Sequence, residues 1–455
     1  MIVTIMCVSF SRKRAHKTLK LWFTLQAKQI TTNADTKHKI AIIGAGPVGI
    51  SAARALKDNN IAYDQLESEA QLGGNWRHGV YKSAHIISSR KTTEFSDYKM
   101  PDSYPDFPSA AQMLAYLEDY AEHFELTDNI QFNCTVKQVS PTEEGWQVIL
   151  EDGTSRTYEG VVVCNGHHWE RRWPNYPGHF SGEMMHSKDY KNSDQLKNKR
   201  VLVIGGGNSA CDIVAEAARV GASAHLSLRR GYWFLPKTIY GRPTTELLTT
   251  QMPVWMQRLY LGLLLKIVVG DYRKYGLMKP DHKIFEHHPT INTELLHYLK
   301  HGKITPHGDI KCFDGDSVEF TDGKKEQFDL IVCGTGFNVS MPFLAADLIP
   351  IEGPIVKAFW GLVAPHHKQL YVYGWAQARY GFGPLLTPAS QLLAKLIVLQ
   401  RRLKNPLGEV LKAAKQPLPD THLIDPMATL NLIKSANGML WLLPYLDRHF
   451  IKSKK

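Results

Sequence analysis

Gly44, Gly46 and Gly49 form a G-x-G-x-x-G run that follows the apolar stretch IAII and heads a helix-like stretch reaching Ala55, with Pro47 inside the loop. In such a setting the first glycine makes the tight turn and the second lets backbone approach a pyrophosphate. The third lets helix pack on strand, and the helix N-terminus faces the anion. Glu67 follows Gly44 by 23 positions, at the end of the next apolar run, where a carboxylate accepts hydrogen bonds from both hydroxyls of a ribose. An isolated triplet is a weak signal, but strand, helix and acid at these spacings predict a dinucleotide site.

A second run, Gly205, Gly207 and Ala210, sits between the apolar stretch RVLVI and a second helix-like stretch. Asn208 and Ser209 are candidate donors to its pyrophosphate. Arg229 and Arg230 end the next strand, where an NAD site places an acid; a guanidinium fork there suits the 2′-phosphate of NADPH. The alternative is two solvent-facing arginines on a loop. Between the runs, Phe180, Gly182, His186 and Tyr190 spell F-x-G-x-x-x-H-x-x-x-Y. On residue types alone, His186 is either a hydrogen-bonded linker histidine that orients two domains or a group that moves protons.

The elements that position these residues are two βαβ starts, near residues 39–67 and 200–230, separated by a helix over 110–124 and a hairpin over 130–165 with turns at EEG and EDG. FDLIVCGTGF (328–337) reads as a buried strand leaving through a Gly-rich turn, and 387–403 as a long helix. Residues 232–300 are mixed helical and Pro-punctuated, the expected substrate-facing insertion. No internal repeat beyond the paired nucleotide units is visible.

The formal charge of +11 is carried mostly by the ends: residues 1–40 hold eight Lys or Arg against Asp35, and residues 441–455 hold four against Asp447. A near-neutral body is not the basic face that tracks phosphates, so nucleic acid is not an expected partner. Six scattered cysteines form no CxxC or CxxxxC pair, which argues against a zinc ribbon or a redox-disulfide enzyme and suits a reducing compartment. No metal is expected. The longest apolar run, Leu259 to Gly270, contains Lys266 and is too short to span a bilayer. A cytoplasmic location is expected, with peripheral membrane contact or organelle import through the basic N-terminus left open.

The run ESEAQLGGNW, with Gly74, Asn75 and Trp76, resembles the segment that lines the isoalloxazine side of FAD in flavin-containing monooxygenases. The Phe180 to Tyr190 motif is similar to the fingerprint of the flavin-containing and Baeyer–Villiger monooxygenases. Tyr190 with Lys191 after it fits the former branch better. VVVCNGHH (161–168), VCGTGF (332–337, with Gly336) and GFGPLLTPASQLL (381–393, with Gly383) resemble further family elements in the family's order. Val136 completes the candidate cofactor set.

The resemblance implies an α/β fold of two nested Rossmann-like dinucleotide-binding domains, as in glutathione-reductase-like flavoproteins. FAD would occupy 38–166 plus 328–405, and NADP 167–327. Residues 1–37 are left as an unassigned N-terminal extension and 406–455 as a C-terminal one. It also implies an FAD- and NADPH-dependent monooxygenase that uses O2, activated at the flavin C4a carbon, on a small organic substrate, at a soft nitrogen or sulfur centre. The rival readings are a Baeyer–Villiger oxygenase, an uncoupled NADPH oxidase and a non-oxygenating flavoprotein binding module.

One departure stands out. The family usually carries an Asn near the flavin in a short N-[ST]-[SP]-[KR] run, and HIISSRKTTEFSDY (85–98) has none. Ser88 or Ser89 would supply a hydroxyl instead, with Arg90 and His186 as further candidates for the role.

Overall fold

The computed structural model describes residues 36–248, 252–449 and 451. Residues 1–35 of the basic extension lie outside them.

Two five-stranded parallel sheets organise the chain. The first runs in the order Leu370–Val372, Gly160–Val163, Ile40–Ile43, Tyr63–Leu66, Ile130–Gln131. All four residues of Ile40–Ile43 are buried, as are all four of Gly160–Val163, because helices or further sheet cover both faces. Helix Pro47–Asp58 begins at the glycine loop, with Gly46 as its N-cap and no side chain capping it. Helix Gly383–Gln400 packs against it, and Ser51 Oγ lies 3.1 Å from Ser390 Oγ at that contact. The segment between the nucleotide units supplies helix Ala110–His123, started by a Ser109–Gln112 capping box. It also supplies a three-stranded meander, Val136–Thr142, Gly145–Leu150 and Ser155–Tyr158, whose two turns fall at EEG and EDG.

The second sheet runs Glu183–His186, Leu330–Cys333, Arg200–Ile204, Ser223–Ser227, Thr305–His307. This corrects the predicted domain boundary at 327/328. The FDLIVC strand pairs with Arg200–Ile204 in the second sheet, and the chain rejoins the first sheet only at Leu370–Val372. Nesting itself holds, since the second sheet is inserted between strands of the first. A smaller sheet, Gly178–Phe180, Ile310–Gly315, Ser317–Phe320 and Lys325–Gln327, packs on the second.

The C-terminal segment, predicted as an extension, is part of the body. Strand Leu423–Ile424 pairs with Gln377–Ala378, and the buried Asp447 carboxylate takes the backbone N–H groups of Lys404 and Asn405 at 2.7 and 3.2 Å. Among the described residues no helix is long and apolar enough to cross a membrane.

Candidate functional site

A cavity of about 1410 Å³ opens where the carboxyl ends of both parallel sheets converge, the position that ligands take in open α/β sheets. It exceeds the roughly 300–1,000 Å³ of a single small-ligand pocket. Gly44, Gly46, Pro47, Glu67, Gly74, Asn75, Trp76 and Val136 line it from the first unit. Gly207, Asn208, Ser209 and Ala210 line it from the second, and Gly336 from the strand exit.

The glycine types follow from backbone demands. Gly44 has φ +106°, and a Cβ there would stand 2.7 Å from the Cys164 carbonyl oxygen. Gly49 is pressed by the Gly44 carbonyl, so it seats the helix on the strand without lining the cavity. Glu67 is buried; its Oε2 accepts the Ala45 N–H at 2.5 Å, and its Oε1 accepts the Glu69 N–H at 3.1 Å. The carboxylate is thereby fixed at the base of the loop.

In the second unit Gly205 has φ +121°, and its missing Cβ makes room for the Gly334 carbonyl. Gly207 caps helix Asn208–Val220, and a Cβ there would meet nothing within 4 Å. The amide oxygen of Asn208 accepts the Ile291 N–H at 2.8 Å, so its side chain holds a neighbouring strand, while Ser209 remains as a donor at the cavity wall. Arg229 is exposed and Arg230 half-buried, its Nε unpartnered and its guanidinium 5.1 Å over the Tyr232 ring. Neither reaches the cavity wall.

The linker motif resolves into packing. Phe180 is buried in the small-sheet core, and its ring folds back to within 2.6 Å of where a Gly182 Cβ would be. His186 ends the edge strand; its Nδ1 accepts the Lys188 N–H at 3.2 Å, so its Nε2 carries the proton and donates to the Gly336 carbonyl at 3.0 Å. Burial pushes its pKa below the usual imidazole range. It does not line the cavity, so the geometry is that of the linker reading. Tyr190, fully buried, donates to Glu216, which also accepts from Ser83.

Of the loop candidates, Ser88 alone faces the cavity, its Oγ 2.6 Å from Thr93 Oγ1. Ser89 is the N-cap of helix Arg90–Thr93, in a capping box with Thr92. Arg90 donates to the Pro101 carbonyl at 2.7 Å and to Asp102 at 3.0 Å. Gly383 lies against the Thr93 carbonyl, which a Cβ would approach to 2.0 Å, so it docks its helix onto this loop.

Sequence reasoning missed much of the wall. His167, His168, Trp375, Arg379 and Tyr380 line the cavity, as do Leu418, His422 and Ile433 from the C-terminal segment. Burial pushes the His167 pKa down to about 4. Asn165 Oδ1, Trp375 Nε1 and Arg379 Nε are buried without a hydrogen-bond partner. Buried polar atoms are normally paired. This set therefore fits a ligand with a flat, polar-edged ring, as a flavin has. The VVVCNGHH resemblance pointed to this stretch without singling out its histidines.

Two nested parallel sheets opening on one cavity define the two-dinucleotide-binding flavoprotein fold. The chain belongs to the flavin-binding monooxygenase-like family, whose profile matches residues 37–380. It is 34% identical over 350 residues to flavin-containing monooxygenase 5 of Homo sapiens, across 70% of this chain and 66% of that protein. The chain thus matches just under two thirds of that relative's length. Among solved structures, the open form of cyclohexanone monooxygenase superposes with a TM-score of 0.70 at 14% identity, covering 89% of this chain and 98% of that one. The S-allyl-L-cysteine S-oxygenase from Allium sativum superposes with a TM-score of 0.62 at 22% identity, covering 89% and 88%.

Proposed function

We propose that the protein is an FAD- and NADPH-dependent monooxygenase that inserts one oxygen atom of O2 into a small organic substrate at a soft nitrogen or sulfur centre. The observation that carries this reading is that both glycine loops, Gly44–Gly49 and Gly205–Ala210, open on the same cavity, which is large enough for more than one ligand. Bound flavin would supply the redox and oxygen chemistry. The chain's own residues bind and orient it. The first loop and Glu67 take the pyrophosphate and ribose, and Gly74 with Trp76 flanks the ring. The unpartnered atoms of Asn165 and Trp375 meet its polar edge. The second loop takes NADPH, and Arg229 and Arg230, which stand off the cavity wall, turn toward the 2′-phosphate when it binds.

Ile87, Thr245, Tyr380 and Phe382 form a mostly apolar wall for a small substrate and help to exclude water. S-oxygenation is named for the Allium sativum neighbour, and that chemistry is carried over here as part of the proposal. One observation favours a partly uncoupled enzyme: the only predicted hydroxyl facing the cavity from this loop, Ser88, already pairs with Thr93. The test is to purify the protein, identify the released cofactor, and assay a thioether and a tertiary amine with NADPH. FAD with an S- or N-oxide product supports the proposal; FMN, or a folded colourless protein, refutes it.

A further inference from the structure

His225, His307 and Glu326 come from three strands far apart in sequence and turn their ligand atoms toward one point, all within 4.8 Å of one another. His225 Nδ1 lies 2.9 Å from His307 Nε2 and 3.1 Å from Glu326 Oε2, and His307 Nε2 lies 3.9 Å from Glu326 Oε1. From these positions we propose that His225, His307 and Glu326 form a binding site for a divalent cation of the zinc type, outside the nucleotide cavity.

The chemistry of the three groups carries the proposal. The remaining nitrogen of His225, Nε2, lies 3.1 Å from Ser223 Oγ, an outer partner of the kind that orients a ligating imidazole. When Nε2 donates to that oxygen, Nδ1 presents its lone pair to the same point as His307 Nε2 and the Glu326 carboxylate, as a metal requires.

Metal distances of about 2.0–2.2 Å in a tetrahedral site set ligand atoms roughly 3.3–3.5 Å apart. The 2.9 Å and 3.1 Å edges meet at His225 Nδ1, while the 3.9 Å contact of His307 reaches the other carboxylate oxygen, so closing the site takes a rotation of the Glu326 carboxylate as well as small shifts of the imidazoles. The imidazoles are held in place. His307 stacks on Phe320 at 4.0 Å and 9°, and His225 meets the edge of Phe328 at 5.0 Å. Both histidines are buried, which favours their neutral, ligating form, while Glu326 is a third exposed and leaves a path for entry. Two imidazoles and one carboxylate suit zinc better than calcium or magnesium, and three protein ligands leave a fourth position open.

Such a cation would tie strand Lys325–Gln327 to the edge of the second sheet, where the His307 backbone carbonyl accepts the Leu228 N–H at 3.2 Å, directly before Arg229. The site is independent of which cofactor fills the cavity.

The test is equilibrium dialysis and calorimetry of chelator-stripped, tag-free, flavin-loaded protein against zinc chloride, followed by zinc-edge absorption spectroscopy. One zinc per chain with two imidazole scatterers is expected. Glu326→Gln, on the surface and compatible with the fold, should weaken binding by a hundredfold or more, and His307→Gln should abolish it. Ser223→Ala, which frees only the outer nitrogen of His225, should weaken it roughly tenfold. Failure of the wild type to bind zinc, or zinc bound equally by the wild type and Glu326→Gln with full flavin content in both, would overturn the proposal.

Discussion

Gly46 and Gly74 meet backbone to backbone: a Cβ built on Gly74 would stand 3.0 Å from the Gly46 Cα, and one built on Gly46 would stand 3.7 Å from the Gly74 Cα. The pyrophosphate loop and the loop beside the flat ring thus share one wall of the cavity. Gly74 has φ +54°, and the close approach of the two backbones leaves little room for a Cβ at it.

Gly46→Val should therefore fold but purify without flavin, because the added Cβ is at ordinary contact distance and the rest of the side chain points where a pyrophosphate runs. Gly207→Val, whose Cβ meets nothing, should keep its flavin and raise the KM for NADPH. Absorbance of the purified proteins and steady-state kinetics separate the two. Full flavin content in Gly46→Val would contradict the assignment of the first loop.

NADPH should be preferred over NADH by roughly ten- to a hundredfold in kcat/KM, the size of a charge-assisted contact. Arg229 is free to move to a 2′-phosphate, and Arg230 has an unpartnered Nε to offer. The Arg229→Ala, Arg230→Ala double variant should lose the preference. Equal losses for the two coenzymes would assign the arginines to packing.

His186 Nε2 donates to the Gly336 carbonyl and its Nδ1 accepts the Lys188 N–H. His186→Asn should lower stability by about 1–3 kcal/mol, since the Gly336 carbonyl and the Lys188 N–H lose their partner. The pH profile of kcat/KM should keep its shape. A limb lost from that profile in the variant would restore His186 to proton chemistry.

Much of this was legible in sequence, and the exceptions have physical causes. IAII, RVLVI and FDLIVC are uniformly apolar because parallel strands are buried on both faces. That same uniformity hides which sheet a strand joins, and FDLIVC, expected in the first sheet, pairs with Arg200–Ile204 in the second. Its true counterpart, Leu370–Val372, is only three residues long and gives little pattern to read. Ser89 and Arg90 looked available because a capping box and a loop contact use the same residue types that a site would use. Arg379 and the C-terminal wall reach the cavity through long-range packing, with Arg379 Nη1 3.7 Å from Asp425 Oδ2, which no local spacing reveals.

Stability should fall between pH 6.5 and 4. His167 holds a folded-state pKa of about 4, below the 6.5 of free imidazole, so in that range the unfolded chain binds more protons than the folded one. Its contribution is present above pH 6.5 and is lost as pH drops toward the folded value. His167→Gln should flatten the slope of unfolding free energy in this window by up to about 1.4 kcal/mol per pH unit. An unchanged slope in chemical denaturation across pH 4–6.5 would show that His167 is not held neutral by burial.

Coupling of oxygen transfer should be incomplete, because the Ser88 hydroxyl is shorter than an amide and already pairs with Thr93. Ser88→Asn should raise product per NADPH consumed, and Ser89→Ala should act on stability alone through the lost cap. The central claim is tested most directly by turnover of a thioether or tertiary amine with NADPH under ¹⁸O₂. One labelled oxygen atom should appear in the S- or N-oxide, with hydrogen peroxide making up the rest of the NADPH consumed; NADPH oxidation that yields peroxide alone, with no label in any product, would contradict the account.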